Sequence, residues 1–374
     1  MKKLLKRKNN HGDVFVFIAI CLISVLGLIF IYSASNYNAK KTYGDSFYFV
    51  KKQAIGIVIG IIAFFAVNLF DYVKLKKCRW YFCVVTVILL CLVFVPGIGV
   101  ANYGARRWIG IGGITVQPSE LAKFGYIVFC ASCLDKNVKK SINILNILPV
   151  IILGIIYCAL IIAEPNMSIC VCFAMLMLSF VFVSGISLKF FPIIIVPAIL
   201  TGVFLIFAEP YRLNRLSAFL NPWASPKGEG YQLLQSLYAL GSGGLFGVGL
   251  FNSRQKLSFL PFSESDFILS VIGEETGFFG LVVLFGIFFF VIYRGLSIAR
   301  NARDLFGFYL SVGITMIFAV QVIINVLVVS GSIPPTGLPL PLMSSGNTSI
   351  IVFFAEFGFL YNVSSNKVGL LTKG

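Results

Sequence analysis

The chain has 374 residues, of which 58% are hydrophobic and only 12% charged, with a formal net charge of +16 and a mean hydropathy of +0.94. A soluble protein carries roughly twice that share of charge, about 25%, so the surplus apolar surface needs lipid; an ordinary cytosolic enzyme and a disordered chain are excluded. The single histidine, His11, lies in a basic tail, which all but excludes His-based catalysis and His metal sites and leaves proton transfer to carboxylates, lysine or tyrosine.

Lys2, Lys3, Lys6, Arg7 and Lys8 open a basic tail over residues 1–12, followed by an apolar run over 14–32 and then Ser33-Ala34-Ser35. That run exceeds the roughly 7–15 residues of a secretory signal, and many apolar segments follow it, so it reads as a retained first helix. Further spans are predicted near 54–69, 81–95, 119–134, 144–163, 167–183, 190–207, 267–293, 306–329 and 348–361. The runs are continuous rather than alternating, which argues against an outer-membrane barrel. The expected fold is an all-α polytopic membrane protein: one membrane-embedded domain over 1–374 with about ten transmembrane helices. Pro192 and Pro197 fall in the seventh span, where lipid-embedded helices tolerate proline with a kink.

The longest connection, 208–265, joins the seventh and eighth spans. Tyr231, Leu234, Leu237 and Tyr238 recur in it at helical spacing, which predicts a helix lying in the membrane interface. Ten spans put both termini on one side, which carries 18 basic residues against 11 on the other, with Lys123 inside a span. The positive-inside rule makes the termini cytoplasmic and the long loop extracytoplasmic. The net charge is then a topology signal and not a nucleic-acid footprint. None of the nine cysteines falls in a segment placed on the extracytoplasmic side, which argues against a disulfide framework. Cys130 and Cys133 have redox-motif spacing in an apolar helix, where packing is the better reading.

Ionisable residues inside spans are costly and are candidates for function. Glu120 and Lys123 stand at i, i+3 on the fourth span and can pair on one face; a structural ion pair and a place in a cavity wall both remain open. Glu274 and Glu275 lie two turns inside the eighth span and are expected to face different neighbours, one of them lining a polar interior. Glu164 opens the outer turn Glu164-Pro165-Asn166, where capping of the sixth helix competes with a functional role. Asp266 ends the long loop in Pro261-Phe262-Ser263-Glu264-Ser265-Asp266, just before a long apolar helix. Burial there raises a carboxyl pKa, while a helix N-terminus and nearby Arg or Lys lower it. The balance suits a general base; a plain N-cap carboxylate is the alternative.

Arg106-Arg107-Trp108 and Arg254-Gln255-Lys256 lie outside at headgroup depth. They suit a grip on a lipid-linked diphosphate or simple anchoring to anionic headgroups. The glycine run over 241–249 lacks P-loop and dinucleotide spacing and reads as close helix packing or a flexible turn.

Several stretches in this order resemble the SEDS family (shape, elongation, division and sporulation), whose members are FtsW, RodA and SpoVE. They are Gly104-Ala-Arg-Arg-Trp-Ile109, Gln117-Pro-Ser-Glu-Leu-Ala-Lys123, Glu164-Pro-Asn166 and Gly230-Tyr-Gln-Leu-Leu-Gln-Ser-Leu-Tyr-Ala-Leu-Gly-Ser-Gly-Gly-Leu-Phe-Gly247. Asn252-Ser-Arg-Gln-Lys256 through Asp266-Phe-Ile, Gly273-Glu-Glu-Thr-Gly277 and Gly337-Leu-Pro-Leu-Pro-Leu-Met-Ser-Ser-Gly346 complete the set. The resemblance implies a glycosyltransferase of the bacterial cytoplasmic membrane that polymerises lipid II into peptidoglycan at the outer face. Its implied partners are a class B penicillin-binding protein and other divisome or elongasome membrane proteins.

The resemblance carries the catalytic aspartate onto Asp266, a basic pair onto Arg106 and Arg107, and a buried pair onto Glu120 and Lys123. The expected substrate-binding set is completed by Gln232, Gln235, Arg254, Lys256, Glu275 and Ser344. No cofactor is required; a divalent cation, Mg or Mn, is left open as a further support for the leaving diphosphate. The chain departs from the family at Glu264-Ser265-Asp266, where His-Thr-Asp is common, and at 344–349, where Ser-Tyr-Gly-Gly-Ser-Ser is common. Ser253-Arg-Gln-Lys256 is closer to the FtsW and SpoVE branch, which favours division or sporulation. The alternatives are a lipid II transporter, a RodA-like elongation polymerase and a catalytically silent scaffold.

Overall fold

A computed structural model describes residues 12–102, 105–111, 114–136, 144–257 and 259–365. The tail with His11, Lys139 and Lys140, and Lys367 and Lys373 lie outside the described residues. The helices in chain order are α1 (Val14–Tyr43), α2 (Tyr48–Asn68), α3 (Arg79–Leu92), α4 (Pro118–Lys136), α5 (Ile144–Ala163) and α6 (Met167–Val183). They continue with α7 (Phe191–Phe207), α8 (Pro210–Leu220), α9 (Tyr231–Gly243), α10 (Ile268–Arg300), α11 (Leu305–Val329) and α12 (Asn347–Ser365). Every predicted span coincides with one of these, and α8 and α9 occupy the long connection. Among the described residues, five helices are long and apolar enough to cross a membrane, or six if α7 and α8, bent by 100° at their junction, form one span. The chain is a polytopic, mostly helical membrane protein.

It is not purely helical. Strands β1 (Gly99–Asn102), β2 (Ala105–Ile111) and β3 (Ile114–Val116) form an antiparallel sheet in the order β1-β2-β3, with Val100 opposite Trp108 and Gly110 opposite Thr115. These segments are rich in β-branched residues but far shorter than a span, so a hydropathy reading passes over them.

Helix α1 outlasts its predicted end and stops at Gly44, which adopts φ +74. Its N-terminus is capped by Asp13, that of α6 by Asn166 and that of α11 by Asp304, each accepting a backbone N–H two or three residues into the helix. Glu164 is therefore not the cap of α6. Helix α11 is buried along almost its whole length, whereas α7 buries no residue. In lipid such a difference marks the centre of the bundle against its periphery, since the exposed α7 is the more apolar of the two.

Helix α9 forms where the spacing predicts it, and part of its apolar stripe stays open, as an interfacial helix requires. Leu233, Leu234, Ser236, Ala239 and Gly243 are buried, while Leu237 and Tyr238 are 37% and 45% exposed. The Ser236 and Ser270 hydroxyls meet at 2.8 Å, which seats α9 on α10.

Helix α10 is broken at Gly277, whose φ 66 and ψ −167 are non-helical and are readily adopted only by glycine. The break costs the bonds that the Phe278 and Phe279 amides would make to the Glu274 and Glu275 carbonyls. The glycine run replaces all of them: Val248 N donates to Glu274 O at 2.9 Å and Gly249 N to Glu275 O at 3.1 Å. In return Phe278 N donates to Gly244 O at 2.9 Å and Phe279 N to Leu245 O at 3.2 Å. The run over 241–249 is thus both a close packing element and a turn, with Gly247 and Gly249 at positive φ.

Candidate functional site

The chain beyond the glycine run meets α1 at Ser33 and Ala34 through Lys256 and Ser263 and delivers Asp266 to the start of α10. The cap position of α10 is Phe267, with no side-chain cap bond, so Asp266 does not cap the helix. Its backbone is held from two sides. Asn325, buried within α11, donates through Nδ2 to Asp266 O at 2.9 Å and to Leu338 O at 2.7 Å. Ser344 Oγ donates to Ser265 O at 2.5 Å and accepts from Leu340 N at 2.8 Å, while Ser345 N donates to Glu264 O at 2.9 Å. Gln53 of α2 holds the same strap, donating to Ser344 O at 3.0 Å and accepting from Gly346 N at 3.1 Å.

The Asp266 side chain lines a cavity of about 110 Å³ with Arg215, Glu229, Gln232, Phe262 and Pro335. Gly337 closes one wall at φ +72; a Cβ there would stand 3.1 Å from Asp266 Oδ2. Burial pushes the Asp266 carboxyl up to about 6, and the neighbouring Glu264 charge adds to the rise; Ser265, Arg107 and Arg215 pull the other way. Burial also raises Glu264. Arg107 approaches from β2, its guanidinium donating to the carbonyls of Glu164 and Pro165. Arg215 comes from α8, where its guanidinium and that of Arg212 lie over the Tyr211 ring at 5.9 and 5.4 Å. The arrangement combines a carboxylate of raised basicity with cationic groups able to meet developing negative charge.

The other predicted residues are dispersed. Arg106 is exposed on β2 beside Arg107; adjacent residues of a strand face opposite sides. Gln235 is half-buried on α9, one turn beyond Gln232. Glu120 and Lys123 form a 2.8 Å ion pair inside the bundle, with Lys123 Nζ also 3.0 Å from Gln321 Oε1 and set over the Phe353 ring. Arg254 is exposed, its amide bound to Glu274. Lys256, expected at headgroup depth, is instead buried against Glu275 and Ser33. Glu274 and Glu275 do meet the same neighbour: Ser253 donates its hydroxyl to Glu274 and its amide to Glu275. The loop wraps around the helix far enough to reach both directions.

Five contributors were not singled out from the sequence: Gln53, Arg215, Glu229, Asn325 and Gly337. Asn325 carries a readable signal, a strong amide in the middle of an apolar span. Arg215 and Glu229 are ordinary loop charges until folding sets them beside Asp266. Among the described residues no group of three or more His, Cys, Asp or Glu side chains could hold a metal ion. Asp266 and Glu229 are the acidic residues lining the cavity.

An aspartate that lines a polar cavity at the start of a long apolar helix, carried on a polytopic helical bundle, defines a membrane-embedded protein with a polar site. The sequence profile of the FtsW/RodA/SpoVE family, described as cell cycle protein, matches residues 13–368; the chain belongs to this family. It is 38% identical over 359 residues to stage V sporulation protein E of Bacillus subtilis (strain 168), covering 96% of this chain and 98% of that protein. To a probable peptidoglycan glycosyltransferase FtsW of Trichlorobacter lovleyi it is 37% identical over 355 residues, covering 94% of this chain and 93% of that one. Its fold is shared with a solved structure described as a peptidoglycan synthase complex that coordinates polymerization and crosslinking, at a TM-score of 0.77 and 24% identity over 94% of this chain and 97% of the other.

Proposed function

We propose that this protein is a peptidoglycan glycosyltransferase that polymerises lipid II at the outer face of the bacterial cytoplasmic membrane, with both termini cytoplasmic. The observation that carries the reading is the Asp266 carboxyl, raised to about 6 in a cavity that it shares with Arg215 and Gln232. Asp266 takes the proton from the GlcNAc 4-hydroxyl of the acceptor. That oxygen attacks the MurNAc anomeric carbon of the donor strand with inversion, and the bond to the diphosphate breaks. Undecaprenyl diphosphate leaves with the bonding pair, its charge met by Arg107 and Arg215, with Arg106 at the outer rim. A positioned base contributes on the order of 10²–10⁴-fold, and cationic groups at the leaving oxygen act where charge develops. One or two carboxylates with substrate phosphates suffice to hold Mg²⁺, so Glu229 in the cavity wall could share such a cation with the leaving diphosphate, where it would offset developing charge.

The partner is a class B penicillin-binding protein; the likeness to a synthase that couples polymerization with crosslinking supports this pairing. Ser253-Arg-Gln-Lys256 and the likeness to SpoVE and FtsW proteins support a role in division or sporulation, and a depletion phenotype of filaments, rounded cells or spore defects separates the roles. The test of the activity is strand polymerisation from purified lipid II with the partner present. Asp266→Asn should abolish it; wild-type rates in that variant overturn the assignment. The buried Glu120, Lys123 and Gln321 cluster favours a second reading, a lipid II transporter, and a flipping assay without any partner decides between them.

A further inference from the structure

Lys256 is 4% exposed and Glu275 1%, and neither lines the cavity that holds Asp266. The Lys256 ammonium stands 3.1 Å from Glu275 Oε1 and 3.0 Å from Ser33 Oγ, and Ser33 in turn donates to Glu275 Oε1 at 2.5 Å. Three chain segments meet in this cluster: α1 through Ser33, α10 through Glu275 and the loop leading to Asp266 through Lys256. The same loop is bound at its backbone. Ser253 N reaches Glu275 Oε1 at 3.2 Å, and Arg254 N and Gln255 N reach the Glu274 carboxylate at 2.9 and 3.4 Å. One residue beyond Ser33, Ala34 O accepts from Ser263 Oγ at 3.1 Å. Consecutive residues of α1 thus hold the loop at Lys256 and at Ser263, while α10 holds it at Ser253.

We infer that Lys256, with Glu275 and Ser33, is a positioning set that holds the loop carrying Asp266 against α1 and α10, and that Lys256 does not touch the leaving diphosphate. To reach a diphosphate its ammonium would have to leave a buried carboxylate and strand it. Breaking one side of such a pair is far more costly than the pair is worth. A shift of the loop by about 1 Å at the reacting atoms would cost on the order of 10²-fold in rate, so the clamp acts on turnover through geometry alone. The inference rests on the reading of Asp266 as the base.

The test uses the full chain with its partner in lipid nanodiscs and lipid II as substrate. It compares Lys256→Met, Glu275→Gln, Ser33→Ala and the Lys256→Met/Glu275→Gln double, with Lys41→Met as a control for loss of an outer-face charge. Each single variant should lower kcat roughly 10- to 100-fold with KM for lipid II within about twofold, and the double should be no worse than the poorer single, because coupled partners are non-additive. Amide exchange over 252–266 should speed up in all of them, while Lys41→Met leaves rate and exchange unchanged. Ser33→Ala removes no charge and keeps the clamp testable if a charge variant fails to assemble. A raised KM in Lys256→Met with kcat retained, or unchanged exchange over 252–266, overturns the inference. The exchange readout does not depend on polymerisation, so a chain that forms no glycan but loosens this loop would sink the assigned activity and leave the clamp standing.

Discussion

Asn325 adds a third tie between the segment that ends in Asp266 and the one opposite it: its amide nitrogen holds the Asp266 carbonyl at 2.9 Å and the Leu338 carbonyl at 2.7 Å. Through this side chain the largely buried helix α11 fixes both the residue proposed as base and the loop opposite it. Asn325→Ala leaves two carbonyls without their donor. A buried group left unpaired costs about 1–3 kcal/mol, so the expected outcome is a lower apparent Tm together with a fall in polymerisation rate. Asn325→Asp should do at least as badly, since it supplies no donor. Thermal unfolding and lipid II turnover on the same preparations check both.

Gly337 is the second contact to test. Alanine there would place a methyl group 3.1 Å from Asp266 Oδ2 on a backbone at φ +72, a conformation costing an L-residue about 1–2 kcal/mol. Gly337→Ala should therefore keep the fold and lose activity, with a fall in kcat of roughly 10- to 100-fold from displacement of the carboxylate. Full activity in this variant would mean that the Asp266 carboxylate is not placed as described.

A base must be deprotonated to act, so the rate should fall as pH drops through about 6, the value to which burial and Glu264 raise Asp266. An unperturbed aspartate would hold activity down to its usual range near 3.8. Glu264→Gln removes the like charge and should move the acid limb to lower pH. Arg215→Ala removes a charge that stabilises the carboxylate and should move it to higher pH, with an added loss of maximal rate from the leaving group. Opposite displacements of the two limbs in a pH–rate series are the measurement; a common direction overturns the electrostatic account.

Much of this arrangement is legible in the sequence because lipid imposes long apolar runs, and each predicted span meets a helix. The spacing in α9 finds a helix with Leu237 and Tyr238 on an open face, as an interfacial helix requires, but it does not reveal that Ser236 seats the helix on α10 through Ser270. The strands β1 to β3 are too short to register. Asp266 stands out by local position alone, at the end of a polar loop and the start of an apolar helix. Lys256 looked equally exposed, because spacing does not reveal that Glu275 and Ser33, from two other segments, fold over it. Arg215, Asn325 and Gly337 reach Asp266 only through tertiary contacts that no local pattern announces.

Glu164, in contact with Arg107, offers a pH test read in stability and not in turnover. It is fully buried, and neither carboxyl oxygen has a hydrogen-bond partner. Burial raises it from 4.5 to about 8, against the pull of Arg107. The folded chain therefore keeps this proton up to about pH 8, while the unfolded chain loses it near 4.5. Between those values the folded state binds more protons than the unfolded one, so this group's contribution to stability falls as pH rises and levels off above about 8. Glu164→Gln keeps the shape and removes the titration. Its Tm relative to the native chain should climb between pH 4.5 and 8 and then stay constant, by roughly a few degrees in all. A difference that is flat across that window, or one that shrinks with rising pH, would show that Glu164 is ionised in the folded protein and has found a partner.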